Sequence, residues 1–201
     1  YRCNDSKVQI AVESGDYVID AGACWGDTAL YFSHIAGATG RIFSYEFVPE
    51  NLEIMRRNLA LNPALGRNIQ IIEKAVWSES DIPLTFKSNG PGSRVSKDQK
   101  GDAATSVITQ TIDDLVMQND LTKLDFIKMD IEGAELSALR GAARTLVRFK
   151  PKLAISVYHK LTDFFEIPEY LDSLDIGYSF YLRHFTIHAE ETVLFAYAGK
   201  P

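Results

Sequence analysis

Asp20, Glu46, Lys74, Asp130 and His159 each close a short apolar run in this chain, and His184 closes another. Carboxylates and imidazoles accept hydrogen bonds from ligand hydroxyls, hold cationic groups and move protons near neutral pH. The first of these acids leads into Ala21-Gly22-Ala23-Cys24-Trp25-Gly26-Asp27-Thr28, a turn with two glycines that opens a helix carrying Ala29, Leu30, Phe32 and Ile35. That is the outline of a nucleotide-type cofactor loop, where backbone amides and a helix N-terminus face the ligand. Glycine-rich turns between strand and helix also occur where nothing binds, so the loop takes its meaning from its surroundings.

The elements that must position these residues follow from hydrophobic periodicity. Tyr17–Asp20, Gly40–Glu46, Ile69–Lys74, Leu124–Asp130 and Leu153–Tyr158 read as buried strands. Helical spacing runs from Thr28 to Gly37 and from Pro49 to Asn62, and again through Leu136, Leu139, Ala143, Leu146 and Val147. Ile82–Phe86 is expected at a sheet edge because it contains Pro83. Lys87–Gly101 is the most loop-like stretch, a flap over a site or a surface excursion. Val107–Gln110 resumes extended structure before a short helix from Ile112 to Met117, and Pro168 interrupts or restarts a helical segment from Phe164 to Leu174. Tyr178–Arg183 and Thr192–Tyr197 are joined too closely for a helical crossover and should pair antiparallel. Strands alternating with helices predict an α/β fold, a doubly wound and mostly parallel sheet, in one domain spanning residues 1–201 with 1–15 as a lead-in. Such sheets bind ligands outside the carboxyl ends of their strands, where the six polar residues named above gather.

At 201 residues and 46% hydrophobic content the chain can bury one sizeable core. With 21 basic against 27 acidic residues, net −6, it carries no electrostatic footprint for nucleic acid. Cys3 and Cys24 have neither zinc-site nor disulfide spacing, which fits a cytoplasmic setting. No apolar run approaches the roughly 20 residues of a membrane span. The chain begins at Tyr1, so a targeting segment ahead of it stays open.

A dinucleotide loop needs glycine at its middle position so that backbone can approach the pyrophosphate. Here Cys24 carries a side chain at that place, and Asp20 would face phosphates unfavourably, which argues against NAD. S-adenosylmethionine has no phosphate and carries a cationic amine and sulfonium, so an acid beside the loop is welcome while the helix N-terminus holds its carboxylate. Gly22, Ala23, Cys24, Gly26 and Thr28 would then form the loop's share of the site. Glu46 is placed for both ribose hydroxyls, and Phe47 with Ala75, Val76 or Trp77 for the adenine.

The stretches Asp20-Ala21-Gly22-Ala23-Cys24-Trp25-Gly26, Tyr45-Glu46 with Pro49-Glu50-Asn51, and Lys128-Met129-Asp130-Ile131-Glu132-Gly133-Ala134-Glu135 with Leu139-Arg140-Gly141-Ala142 resemble the FkbM family of S-adenosylmethionine-dependent methyltransferases. The resemblance implies the class I methyltransferase fold, Rossmann-like, a mostly parallel seven-stranded sheet with its last strand antiparallel. It also implies methyl transfer to a hydroxyl oxygen, on a sugar, glycan or secondary metabolite. Three residues depart from the family's usual pattern: Cys24 in place of asparagine, Trp25 in place of a small aliphatic, and Phe47 where proline often follows the acid.

Methyl transfer is an in-line displacement at an activated carbon, so the protein mainly aligns the nucleophile and removes its proton. His159 is the first candidate for the base, with His184 and Asp130 as the others; Asp130 could instead receive the cofactor's amine. Glu135 reads as a helix-capping acid. Glu132, Asp130 and His159 could together hold a metal, but no contiguous ligand motif supports one and none is expected. Nucleic-acid amino-methyltransferases place an Asn- or Asp-Pro-Pro-aromatic signature where this chain has Asp130-Ile131-Glu132-Gly133. A non-catalytic module on the same scaffold, or an NAD-dependent oxidoreductase, are the rival readings.

Overall fold

A computed structural model describes residues 1–4, 8–87, 90, 92–96, 105–188 and 190–199. The lead-in forms β1 (Cys3–Asn4) and β2 (Gln9–Ile10), paired antiparallel. β3 (Tyr17–Ala21) runs through the glycine loop into α1 (Asp27–Ala36), and β4 (Arg41–Tyr45) into α2 (Pro49–Leu61) and the single turn α3 (Pro63–Gly66). After β5 (Ile69–Ile72) come the short strands β6 (Ala75–Val76), β7 (Pro83–Lys87), β8 (Arg94–Ser96) and β9 (Thr105–Gln110), then α4 (Ile112–Gln118). β10 (Phe126–Met129) precedes α5 (Glu135–Arg140) and α6 (Ala143–Phe149), and β11 (Lys152–Ser156) precedes α7 (Asp163–Ser173). β12 (Ser179–His184) and β13 (Thr192–Tyr197) follow.

The main sheet has seven strands in the order β12-β13-β11-β10-β3-β4-β5. β13 inserts between β11 and β12 and is antiparallel to both, while the other pairings are parallel. From β3 the chain winds outward through β4 and β5; from β10 it winds the other way through β11. The order therefore reverses between β3 and β10, and a crevice opens at their carboxyl ends.

Both faces of the central sheet are covered, so strands such as β3, β10 and β11 are buried along most of their length. Alternation divides them between two layers of core. Ile19, Phe43, Ile127 and Leu153 point to the side of α4, α5, α6 and α7. Val18, Ile42, Phe126 and Ala154 point to the side of Phe32 on α1 and Met55 on α2. The lead-in belongs to this second layer, since Val8, Ile10 and Val12 are buried with Phe32 and Phe195.

Four local expectations change. β7 lies inside a separate four-stranded sheet, β6-β9-β7-β8, and is not at an edge. Pro83 is its first residue, ahead of Thr85 where β8 begins to pair, so the missing N–H breaks no bond of that ladder. The single helix expected around Leu136–Val147 is two helices. They meet at Gly141, where a Cβ would stand 2.1 Å from the Trp77 carbonyl oxygen, and Val147 points outward. Conversely, α7 continues through Pro168. Of the expected loop at Lys87–Gly101, 94–96 is strand, while 88–89, 91 and 97–101 lie outside the described residues.

Candidate active site

The glycine loop keeps its shape through backbone geometry and one buried lysine. Gly22 has φ +81°, and a Cβ there would lie 2.0 Å from the Asp130 carbonyl oxygen, so the loop presses against the end of β10 as only glycine allows. Cys24 takes a left-handed conformation at φ 48°, and Gly26, at φ +80°, caps α1 with Met55 against it. Beneath the loop, fully buried Lys128 on β10 donates to the carbonyls of Gly22 at 2.7 Å and Ala21 at 3.2 Å. Its Nζ also sits 3.2 Å from Asp20 Oδ1 and 5.3 Å from the Tyr1 ring centroid. Burial alone would lower the lysine's pKa, but the carboxylates of Asp20 and Asp130 hold it above its ordinary value. Asp20 accepts the Thr28 hydroxyl at 2.7 Å through its other oxygen. Asp20 and Thr28, read from the sequence as ligand-facing, thus stand behind the loop and brace it.

In front of the loop opens a partly open cleft at the carboxyl ends of β3, β4 and β10. Of the residues expected around a cofactor, Gly22, Cys24, Glu46, Phe47, Ala75 and Asp130 line it, with Val76, Ile131 and Glu132, and with Gly90 and Ser93 from the β7–β8 connection. Ala23 and Gly26 are buried within the loop, and Trp77 lies aside in the small sheet's core. Phe47 is held edge-on by Phe86, with centroids 4.9 Å apart.

Glu46 follows β4 directly. Its Oε1 accepts the backbone amides of Phe47 at 2.6 Å and Val48 at 2.8 Å, and its Oε2 accepts Asn51 Nδ2 at 3.1 Å. Burial pushes its pKa up while these amide and side-chain donors pull it back, and the net is a raised value. These donors fix the carboxylate in place at the edge of the cleft.

At the opposite wall, Asp130 follows β10 and collects hydroxyls. Tyr1 donates to its Oδ2 at 2.7 Å and Tyr158 to its Oδ1 at 3.1 Å. Burial would raise its pKa, but Lys128, the Tyr1 hydroxyl and His159 together hold it below the usual carboxylate range. His159 lies three residues beyond β11 with its side chain 2% exposed. Its Nε2 is 3.5 Å from both Asp130 Oδ1 and Glu132 Oε1, and its Nδ1 is 2.9 Å from Glu135 Oε1. Burial pulls the imidazole down, yet Glu132 and Glu135 push it up to about 10. Glu135 also accepts the Ile131 amide at 2.9 Å, so the expected capping acid is at once the imidazole's partner. His184 is elsewhere: it is exposed on β12, two strands from β11, with Nδ1 2.9 Å from Thr192 Oγ1.

Sequence reasoning missed Tyr1 and Tyr158 as partners of Asp130, and Lys128 as the brace of the loop. Lys128 left one signal, a charge in the middle of the apolar run Phe126–Met129.

The family model of the methyltransferase FkbM domain matches residues 20–180. This chain belongs to the FkbM methyltransferase family. Among curated proteins, methyltransferase sdnD of Sordaria araneosa is 26% identical over 159 residues, 64% of this chain and 61% of that protein. The crystal structure of an FkbM methyltransferase from Methylobacillus flagellatus KT superposes with a TM-score of 0.73 at 29% identity, covering 92% of this chain and 44% of that one. Aeropyrum pernix fibrillarin, solved with natively bound S-adenosylmethionine, shares the fold at TM-score 0.58 and 16% identity, covering 94% of this chain and 69% of its own. The chain thus spans less than two thirds of the first two relatives, and its fold is that of the class I S-adenosylmethionine-dependent methyltransferases.

The cleft fits the family's cofactor on its own chemistry. It offers an anchored carboxylate at Glu46 for vicinal hydroxyls and apolar walls at Phe47, Val76 and Ile131 for a base. A close-packed glycine turn and an acid at Asp130 remain for the charged end.

Proposed function

We propose that this FkbM-family chain binds S-adenosylmethionine in the cleft between β3, β4 and β10 and transfers its methyl group to a hydroxyl oxygen of a small-molecule or glycan acceptor. The observation that carries the reading is the pair of acids facing one cleft from opposite sides of the glycine loop. Glu46 is disposed for the ribose and Asp130 for the cationic methionine end or the incoming hydroxyl. Bound there, the cofactor supplies a carbon already activated by its sulfonium. Phe47 and Val76 hold the adenine, Glu46 fixes the ribose, and the Gly22–Cys24 backbone sets the depth of the tail.

On the acceptor side, Asp130 is the cleft's own carboxylate, and its depressed pKa makes it a weak base, so alignment carries most of the acceleration. His159 does not line the cleft; it positions Asp130 and Glu132, which do. We assign His184 no part. The spacing of Cys3 and Cys24, neither zinc-binding nor disulfide-like, supports a cytoplasmic setting, and among the described residues no helix is long and apolar enough to cross a membrane. Titration calorimetry tests the cofactor: S-adenosylmethionine and its demethylated product should both bind at one site. Binding of NAD with neither of these would overturn the reading. A mass gain of one methyl on hydroxyl-bearing acceptors, against amine-bearing ones, tests the acceptor atom.

A further inference from the structure

Next to the cleft, among the described residues, the carboxylates outnumber the cations available to them. Asp130, Glu132, Glu135 and Asp163 gather about the single imidazole of His159. Glu135 has no exposure and Asp163 has 2%. Glu135 Oε2 and Asp163 Oδ2 are buried and have no hydrogen-bond partner among the described residues. Burial, and then the charge of Glu135, push the Asp163 carboxyl up. Lys128 is committed to Asp20 and the loop carbonyls, and Lys160 is exposed and donates to the Gly133 carbonyl. Buried carboxylate oxygens without donors cost free energy, and native proteins relieve them with a partner, a water or an ion.

We propose that Asp130, Glu135 and His159 form a binding site for a divalent cation of the magnesium and manganese class. One ligand atom from each lies within 4.8 Å of the other two. Ligands about 2.1 Å from a shared octahedral ion stand roughly 3–4 Å apart. Two carboxylates with one imidazole, the imidazole giving up its proton as the ion binds, suit a hard or intermediate ion rather than a thiophilic one. Glu135 Oε2 supplies the second, independent sign of a ligand, being an unpartnered buried oxygen on a carboxylate whose Oε1 already reaches the imidazole. The site lies at the carboxyl ends of β10 and β11 and meets the cleft through Asp130. A cation there would bind an acceptor oxygen directly and make its hydroxyl more acidic. That last consequence rests on the proposed methyl transfer; the binding itself does not.

The test is a manganese titration of the whole chain, without cofactor or acceptor, followed by the electron paramagnetic resonance signal of free Mn2+. One ion should bind per chain and be displaced by Mg2+. Glu135→Gln and Asp130→Asn should each weaken it at least tenfold, while Glu73→Gln, in an exposed pair with Arg56, leaves it unchanged. Should Glu135→Gln fail to fold, judged by circular dichroism, the less buried Asp130→Asn decides. No manganese binding at millimolar concentration, or equal affinity in wild type and Asp130→Asn, overturns the proposal. Calorimetry with S-adenosylmethionine on the same preparations separates the two readings, since cofactor binding without manganese binding removes the cation site alone.

Discussion

Lys128 sits where a cationic side chain is least welcome, in the middle of a parallel sheet buried on both faces. It is stable there because its Nζ meets acceptors: the Asp20 carboxylate and the carbonyls of Ala21 and Gly22. Removing one member of a buried pair leaves the other uncompensated, at a cost of about 3–5 kcal/mol. Lys128→Ala should therefore lower unfolding free energy by that order in a denaturant titration, and Asp20→Asn in the same background should recover part of it. Glu46 makes a different prediction, because its raised pKa leaves it ionised only above a pH higher than usual for a glutamate. Hydrogen bonds from ribose hydroxyls are stronger to the ionised form. Cofactor affinity should fall as pH drops through that raised value, beginning above the ordinary glutamate range, and Glu46→Gln should bind weakly with a flat profile in calorimetry. At this scale the sequence was only partly legible. Glu46 and Asp130 follow their strands as an apolar run ending on an acid suggests. The partners of Asp130 come from Tyr1, 129 residues away, and Tyr158, 28 residues away, and no local pattern pairs them.

Among the elements, the loop from β3 to α1 has the least freedom. Gly22→Ala would drive a methyl group into the Asp130 carbonyl at 2.0 Å and impose a side chain on a positive φ. The variant should stay folded, since the sheet continues on both sides, while its affinity for S-adenosylmethionine drops at least tenfold by calorimetry; unchanged affinity would show that the loop does not shape the site. The central strands were readable because burial on both faces leaves a continuous apolar signature. The break between α5 and α6 was not, because periodicity carries across Gly141 and the Trp77 backbone that fills the space comes from another part of the chain. Pro168 misled in the other direction, since packing of Ile167 and Leu171 against the core outweighs the proline's missing hydrogen bond. Family resemblance implied that the last strand is antiparallel, and local patterning required that β12 and β13 pair; neither placed β13 between β11 and β12.

Over the whole molecule, the alternation of strands and helices identified the architecture, and the reversal of strand order located the cleft. Both come from rules that apply to any such sheet. What the general rules leave open is which residues meet across the reversal, and here that meeting is extensive. β3 pairs with β10 along Val18–Ala21, the Tyr17 amide donates to Asp125 across 108 positions, and Lys128 reaches Gly22 across 106. Cofactor binding should accordingly slow amide hydrogen exchange in β3, β4 and β10 together; protection confined to β3 and β4 would place the ligand away from the reversal.

The lysine under the glycine loop also has a temporal consequence. During synthesis the loop emerges about a hundred residues before the strand that braces it, and contacts so distant in sequence form late. Until β10 docks, Ala21 and Gly22 have no donor beneath their carbonyls and Asp20 has no counter-charge. The bracing of the loop, and with it the shape the loop offers a ligand, therefore waits until the two halves of the chain meet.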